Sequence, residues 1–165
     1  DPLTDGKYVY CGPYRLSDML TGTGFTIGEA LLSPTRTYLP LIKDISSVLG
    51  THLRGAVHCS GGGQTKCLRF GSRVKFIKNN LFSPPPLFQE IQRVSGTTEK
   101  EMYQVYNMGH RLEIYCESEH EDNVLEIAKA YSIDAKVIGY TVPSEIINQR
   151  NHLEIIGGSS ILKYQ

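Results

Sequence analysis

The chain has 165 residues, the size of one domain, and its 40% apolar residues are enough to furnish one buried core. Seventeen Lys and Arg balance seventeen Asp and Glu, so no net field exists to gather nucleic acid or to hold the chain on an anionic membrane. No apolar run approaches the roughly 20 residues of a membrane span, and the opening DPLTDGKYVYCG has neither the basic nor the apolar stretch of an export signal. A soluble, cytoplasmic protein with no nucleic-acid and no membrane partner is expected. The first residue is Asp1 rather than Met, which leads to the expectation of a chain cut from something longer. Cys11, Cys59, Cys67 and Cys116 have neither the CxxC pairs of a zinc site nor the density of a disulfide scaffold, so reduced thiols are expected.

In chain order, residues 1–25 mix glycines and tyrosines with polar residues and read as a linker or lead-in, leaving 26–165 as the domain. After an apolar stretch from Ile27 to Leu32, residues Leu39, Leu41, Ile42, Ile45, Val48 and Leu49 recur at helical offsets and predict an amphipathic helix ending at Gly50. LRGAVHCS predicts a strand that runs into Gly61, Gly62 and Gly63 and then a helix start. RVKFIKNN predicts another strand, with Val74 and Phe76 alternating. The prolines at 84–86 open a helix that stops near Gly96, and Thr98 with Glu101 has the spacing of a capping box for the next. RLEIYCES alternates as a half-buried strand with Leu112, Ile114 and Cys116 on one side, and EHEDNVLEIAKAYSI carries a helical stripe with acids at its start. DAKVIGYTV reads as a strand and HLEIIGGSSILKYQ as a hairpin around Gly157 and Gly158. The expected fold is α+β, a mixed β-sheet packed with helices.

The sharpest chemical signal is AVHCSGGGQTK, residues 56–66, where a strand meets three glycines. Glycine tolerates positive φ and has no Cβ, so backbone N–H groups can converge there on a phosphate. Ser60 and Thr65 offer hydroxyls and Lys66 a cation; the other reading is a tight connection with no ligand. His58, just before the loop, can donate to a phosphate or move a proton, or sit satisfied in the core. Arg36 in PTRTY can fork onto a phosphate or make a surface ion pair. Asn107 and Gly109 in YNMGHR can meet a ligand or cap a helix, and His110 and Arg111 can touch a ligand or stand in solvent. Cys59 and Cys67 bracket the glycines without any other feature of a catalytic thiol. The acids of ESEHED, residues 117–122, read as a solvated helix start, not as a metal site.

Taken together, LLSPTRTY, AVHCSGGG, PPLFQEIQ, EMYQVYNMG and DAKVIGYT, in this order and spacing over about residues 31 to 141, resemble the C-terminal domain of the aminoimidazole ribonucleotide synthetases, the phosphoribosylformylglycinamidine cyclo-ligases. The resemblance implies that family's C-terminal-domain fold and its reaction: ATP-driven closure of formylglycinamidine ribonucleotide to aminoimidazole ribonucleotide in purine biosynthesis. It implies ATP and Mg²⁺ held mainly by an N-terminal domain absent from this chain, a homodimer, and a fragment inactive alone. It places Ser60, Gly61, Gly62 and Gly63 on a phosphate of substrate or nucleotide, His58 beside that site as the catalytic residue, and Arg36, Asn107 and Gly109 along the cleft; no metal ligand is implied. Departures are Gln64, Thr65 and Lys66, where an apolar residue and an acidic helix start are common, and His110 and Arg111, where small or apolar residues are common. A related ATP-using synthetase or small-molecule kinase, or a non-catalytic binding domain of the same fold, remains open at this point.

Overall fold

The computed structural model describes residues 12–145, 150–157 and 160–165. Residues 12–25, expected as a lead-in, are irregular but bonded to the rest of the fold. Met19 forms an isolated bridge with Thr26, Leu20 is buried, and Gly28 N–H donates to the Leu16 carbonyl at 2.8 Å. A short helix α1 (Ile27–Leu31) follows, started by a full capping box that sequence reading passed over. Thr26 Oγ1 accepts from Glu29 N–H, and Glu29 Oε2 accepts from Thr26 N–H.

Helix α2 (Leu39–Leu49) forms where its periodicity places it and buries Leu41, Ile45 and Leu49, one residue per turn on one face, with Gly50 as C-cap at φ 53°. A 3₁₀ turn, Gly50–His52, leads to strand β1 (Leu53–His58), and a longer 3₁₀ segment, Gly63–Arg69, stands where a helix was expected to start. Strand β2 is Val74–Lys78. Helix α3 (Pro86–Ser95) starts with its prolines and ends at the left-handed Gly96; helix α4 (Glu99–Val105) is capped by the Thr98 hydroxyl. Strand β3 (Leu112–Cys116), a 3₁₀ turn at Ser118–His120 and helix α5 (Glu121–Ala130) come next. Strands β4 (Gly139–Pro143), β5 (His152–Gly157) and β6 (Ser160–Tyr164) end the chain.

The strand expected from residue 134 begins only at Gly139, because its partner β2 ends at Lys78, the residue that pairs with Gly139. Before that point the Ile138 carbonyl accepts from Asn79 and Asn80 N–H groups that have left the ladder. A Cβ at Gly139 would overlap the Ile77 carbonyl, so only glycine permits this approach.

The strands form two sheets, where one was expected. Four make a mixed sheet in the order β4–β2–β5–β6, with β2 and β5 parallel and the other pairs antiparallel; β1 and β3 form a separate antiparallel ribbon. Each has its own apolar core. Phe76, Leu153, Ile155 and Tyr164 of the sheet meet Met102, Tyr103, Met108 and Cys67. Leu41, Ile45, Leu49 and Ala128 join α2 to α5 against Leu53, Leu112 and Ile114 of the ribbon.

Between the two lies an ion pair, one member of which, Glu113, strand alternation assigned to solvent. Lys78 Nζ stands 2.5 Å from Glu113 Oε1, and the two side chains are 4% and 2% exposed. The ammonium also donates to the Gln64 carbonyl at 2.9 Å and to Gln64 Oε1 at 3.0 Å, so all three of its protons are engaged. Tyr115 OH donates to Glu113 Oε2 at 2.5 Å. Strand β3 is therefore covered on both faces. Removing one partner leaves the other charge buried and alone, which costs about 3–5 kcal/mol, whereas an apolar pair of similar volume is often tolerated. We expect Glu113→Ala to lower unfolding free energy by about that amount, and Lys78→Met with Glu113→Leu to recover more than half of the loss, both read by urea denaturation.

Candidate functional site

Alternation along β1 decides what the glycine loop carries. Val57 and Cys59 are buried, so His58 between them faces outward. The alternative of a satisfied core histidine is thereby removed: His58 is exposed, and its ring meets Tyr38 edge-on with centroids 6.1 Å apart. Ser60 N–H donates to the His58 carbonyl and Gly63 N–H to the Ser60 carbonyl, folding the chain back on itself between His58 and Gly63.

The three glycines serve different ends. Gly62 has φ 96° and Gly63 φ 48°, both in the left-handed region. A Cβ on Gly63 would collide with the carbonyls of Tyr106 and Tyr103, because the loop lies directly against the end of α4. Gly61 is exposed, with nothing near its Cβ position. Among the described residues, the N–H groups of Gly61 and Gly62 have no protein acceptor. Two neighbouring unpaired amides at a left-handed glycine leave two donors available to an acceptor from outside the chain.

Two cations border the loop. Lys66 Nζ donates to Ser60 Oγ at 2.5 Å, and the Arg69 guanidinium lies about 4.0 Å from the Gly62 Cβ position. Arg69 escaped the sequence reading; its place three residues after Lys66, one turn further along a 3₁₀ segment, was the available signal. Thr65 is not free to meet a ligand, since its hydroxyl donates to the Gly62 carbonyl at 2.8 Å.

The other predicted residues lie at varying removes from the loop. Asn107 is joined to it by backbone: its carbonyl accepts from Gln64 Nε2 at 2.8 Å, while its side-chain Oδ1 accepts from Gly109 N–H at 2.9 Å in a local turn. Gly109, at φ 96°, packs on Pro85, with a Cβ position 3.0 Å from Cδ of that ring. Arg36 is farther off, its Nη1 donating to the Tyr131 and Ser132 carbonyls at 3.4 Å at the C-terminal end of α5. That geometry complements the negative end of a helix; Tyr38, two residues on, meets the His58 ring. His110 is neither solvated nor at the loop. It is buried, its Nε2 accepts from Phe82 N–H at 2.9 Å, and desolvation holds its pKa below the ordinary histidine value.

The thiols are buried rather than poised. Burial, and then the Glu113 carboxylate, push Cys59 far up; burial pushes Cys67 to about 11. Cys116 is half-buried, and none of the three is disulfide-bonded. A cavity of about 650 Å³ opens between ribbon and sheet, lined by Tyr38, Phe82, Gly109, His110 and Tyr140 among others, and it adjoins His58 through Tyr38 and through Leu112, the residue paired with His58 across the ribbon.

Gly63→Ala is expected to destabilise by roughly 3 kcal/mol or more, since neither carbonyl facing it belongs to a side chain able to rotate away, whereas Gly61→Ala stays within about 0.5 kcal/mol; thermal unfolding distinguishes them. Folded protein at pH 8 should leave Cys59 and Cys67 unreactive toward an aromatic disulfide reagent, both becoming titratable in denaturant.

Residues 14–148 match the family described as AIR synthase related protein, C-terminal domain. Among curated proteins, the phosphoribosylformylglycinamidine cyclo-ligase of Methanocaldococcus jannaschii is 33% identical over 141 residues, covering 86% of this chain and 39% of that relative. The protein of the same name from Methanococcus vannielii is 34% identical over 116 residues, 70% of this chain and 33% of that relative. The one from Methanopyrus kandleri is 30% identical over 139 residues, 84% of this chain and 39% of that relative. The chain thus spans less than two-fifths of the length of these relatives. With the glycine loop, its histidine and the Asn-Met-Gly turn all inside the matched span, this chain belongs to the AIR synthase related protein family and carries its C-terminal domain.

Proposed function

We propose that the chain is the C-terminal part of an ATP-dependent phosphoribosylformylglycinamidine cyclo-ligase, and that its glycine loop holds a phosphate of substrate or nucleotide. The observation that carries the loop's role is the pair of unpaired N–H groups at Gly61 and Gly62, bordered by Lys66 and Arg69. Donors fixed by the fold before the ligand arrives need no reorganisation when charge develops on it. Ser60 lies on the loop with its hydroxyl oriented by Lys66. Exposed and held against Tyr38, His58 is placed to donate to a phosphate oxygen or to move a proton.

In the proposed reaction ATP supplies a phosphoryl group to the formyl oxygen of formylglycinamidine ribonucleotide. A nitrogen then attacks that carbon, the C–O bond breaks, and phosphate leaves as the imidazole ring closes. The loop segment 56–66 contains no carboxylate, which supports Mg²⁺ being held mainly by the N-terminal domain of such an enzyme. This chain's part is to bind and position phosphate. Leu16, Met19, Phe25, Leu31, Leu32 and Leu39 all expose more than half of their surface within one stretch; such concentration supports a face covered by that N-terminal domain. A cytoplasmic homodimer completes the reading. Among the described residues no helix is long and apolar enough to cross a membrane.

The test is ADP formation dependent on formylglycinamidine ribonucleotide, measured on the full-length enzyme. Gly61→Asp places a carboxylate at an open position the backbone tolerates and is expected to lower kcat/KM at least tenfold, about 1.4 kcal/mol, with Gly61→Ala near the parent and His58→Ala lowered as well. ADP formation with a different acceptor would remove the substrate assignment; unchanged kinetics in Gly61→Asp would remove the loop's role.

A further inference from the structure

Residues 117–122 bring four acids, Glu117, Glu119, Glu121 and Asp122, together with His120 at the start of α5. Alone they form a solvated helix start. The fold alters their surroundings by bringing up His52, 65 positions away from Glu117 in sequence. His52 ends the 3₁₀ turn before β1, Glu117 directly follows β3, and His120 closes the 3₁₀ turn before α5. Because Leu53 pairs with Cys116 at this end of the ribbon, the residues just outside the pair are forced together.

The geometry is specific. His52 Nδ1 stands 2.6 Å from Glu117 Oε2. The rings of His52 and His120 overlap with centroids 4.4 Å apart. One nitrogen from each histidine and one carboxylate oxygen all lie within 4.8 Å of one another. Two backbone bonds hold the three residues in place without any ligand: Glu117 N–H donates to the His52 carbonyl at 3.3 Å, and His120 N–H to the Glu117 carbonyl at 3.0 Å. Arg54 pairs with Glu117 Oε1 and leaves Oε2 toward the histidines. Among the described residues the His120 ring nitrogens have no hydrogen-bond partner.

We propose that His52, Glu117 and His120 form a binding site for a borderline divalent transition-metal cation of the Zn²⁺ type. Two imidazole nitrogens and one carboxylate oxygen are the donors such ions prefer, whereas Ca²⁺ and Mg²⁺ take oxygen. Ligands at about 2.0–2.1 Å from a tetrahedral ion stand roughly 3.3 Å apart. Reaching that arrangement requires the His52–Glu117 contact to open and His120 to swing by side-chain rotation, which an exposed His52 and half-buried Glu117 and His120 permit. Three protein ligands leave one tetrahedral position for water. The bound ion would clip the turn that enters β1 to the turn that leaves β3. The site lies at the opposite end of the ribbon from His58 and the glycine loop, about 20 Å away by strand rise, so it stands independently of the phosphate reading.

The full chain, titrated with Co²⁺ as a spectroscopic stand-in for Zn²⁺, should bind close to one equivalent. Visible d–d absorption should appear without the near-ultraviolet thiolate band that cysteine ligation would give, and Zn²⁺ should displace the cobalt. His52→Ala and His120→Ala, on different segments at the surface and checked for folding by circular dichroism, should each weaken binding at least about tenfold, since even partners outside the ligand shell are worth that much. Absence of saturable binding, a thiolate band, or affinity unchanged in both variants would overturn the proposal.

Discussion

Burying an ammonium and a carboxylate in a domain of this size is unfavourable unless every proton and lone pair they offer is engaged. The Lys78–Glu113 pair meets that condition through Gln64 and Tyr115, and much of the architecture follows from it. Lys78 is the last residue of β2 in the four-stranded sheet, and Glu113 is the second residue of the ribbon's β3. No hydrogen-bonded ladder joins these two sheets, so the charge pair fixes their relative position at a point where apolar contact alone would allow sliding. Apolar surfaces slip with little change in energy; a buried charge has one satisfactory position.

The same knot places the glycine loop. Gln64 follows Gly63 directly and uses its carbonyl and its side-chain oxygen on Lys78, while its amide nitrogen donates to the Asn107 carbonyl. Gly63 can approach the carbonyls of Tyr103 and Tyr106 only because it lacks a Cβ. The 3₁₀ segment behind the loop is therefore held from the sheet, from the ribbon and from the end of α4 together. With that support the loop keeps its fold while the Gly61 and Gly62 amides, among the described residues, stay unpaired. The tight-connection reading of the loop and the proposed phosphate reading are thus compatible: Gly63 meets the first, and Gly61 is left open for the second. Met108, at φ 51° and fully buried beside this junction, is a further sign that the turn after α4 is held in a conformation non-glycine residues avoid.

Much of the fold was legible because its signals are local. The stripe Leu41, Ile45, Leu49 marks α2, the prolines at 84–86 open α3, Gly96 closes it, and Thr98 caps α4. Motif order and spacing carried the family resemblance, which the match over residues 14–148 bears out. The misses share one cause. Strand alternation places Glu113 opposite Leu112 and Ile114 and so assigns it to water, but alternation describes a strand with one wet face, and β3 is covered on both sides. The late start of β4 had the same origin, since a strand's length is set by its partner and not by its own residues. Tertiary contact also separates the arginines: Arg36 of the motif lies on helix carbonyls, and the unremarked Arg69 borders the loop.

What the sequence by itself determined is what depends on neighbours along the chain: the longer helices and the glycine and threonine caps of α2, α3 and α4, the conformational freedom of the glycine run, and the family. Only the tertiary structure decided which groups meet across distance. Lys78 finds Glu113, Gln64 finds Asn107, and His52 finds Glu117 and His120 because strand pairing and layer packing bring together residues separated by 35, 43 and 65 positions. Periodicity carries no information about such encounters: it states which side of an element is apolar, but not what stands opposite the other side.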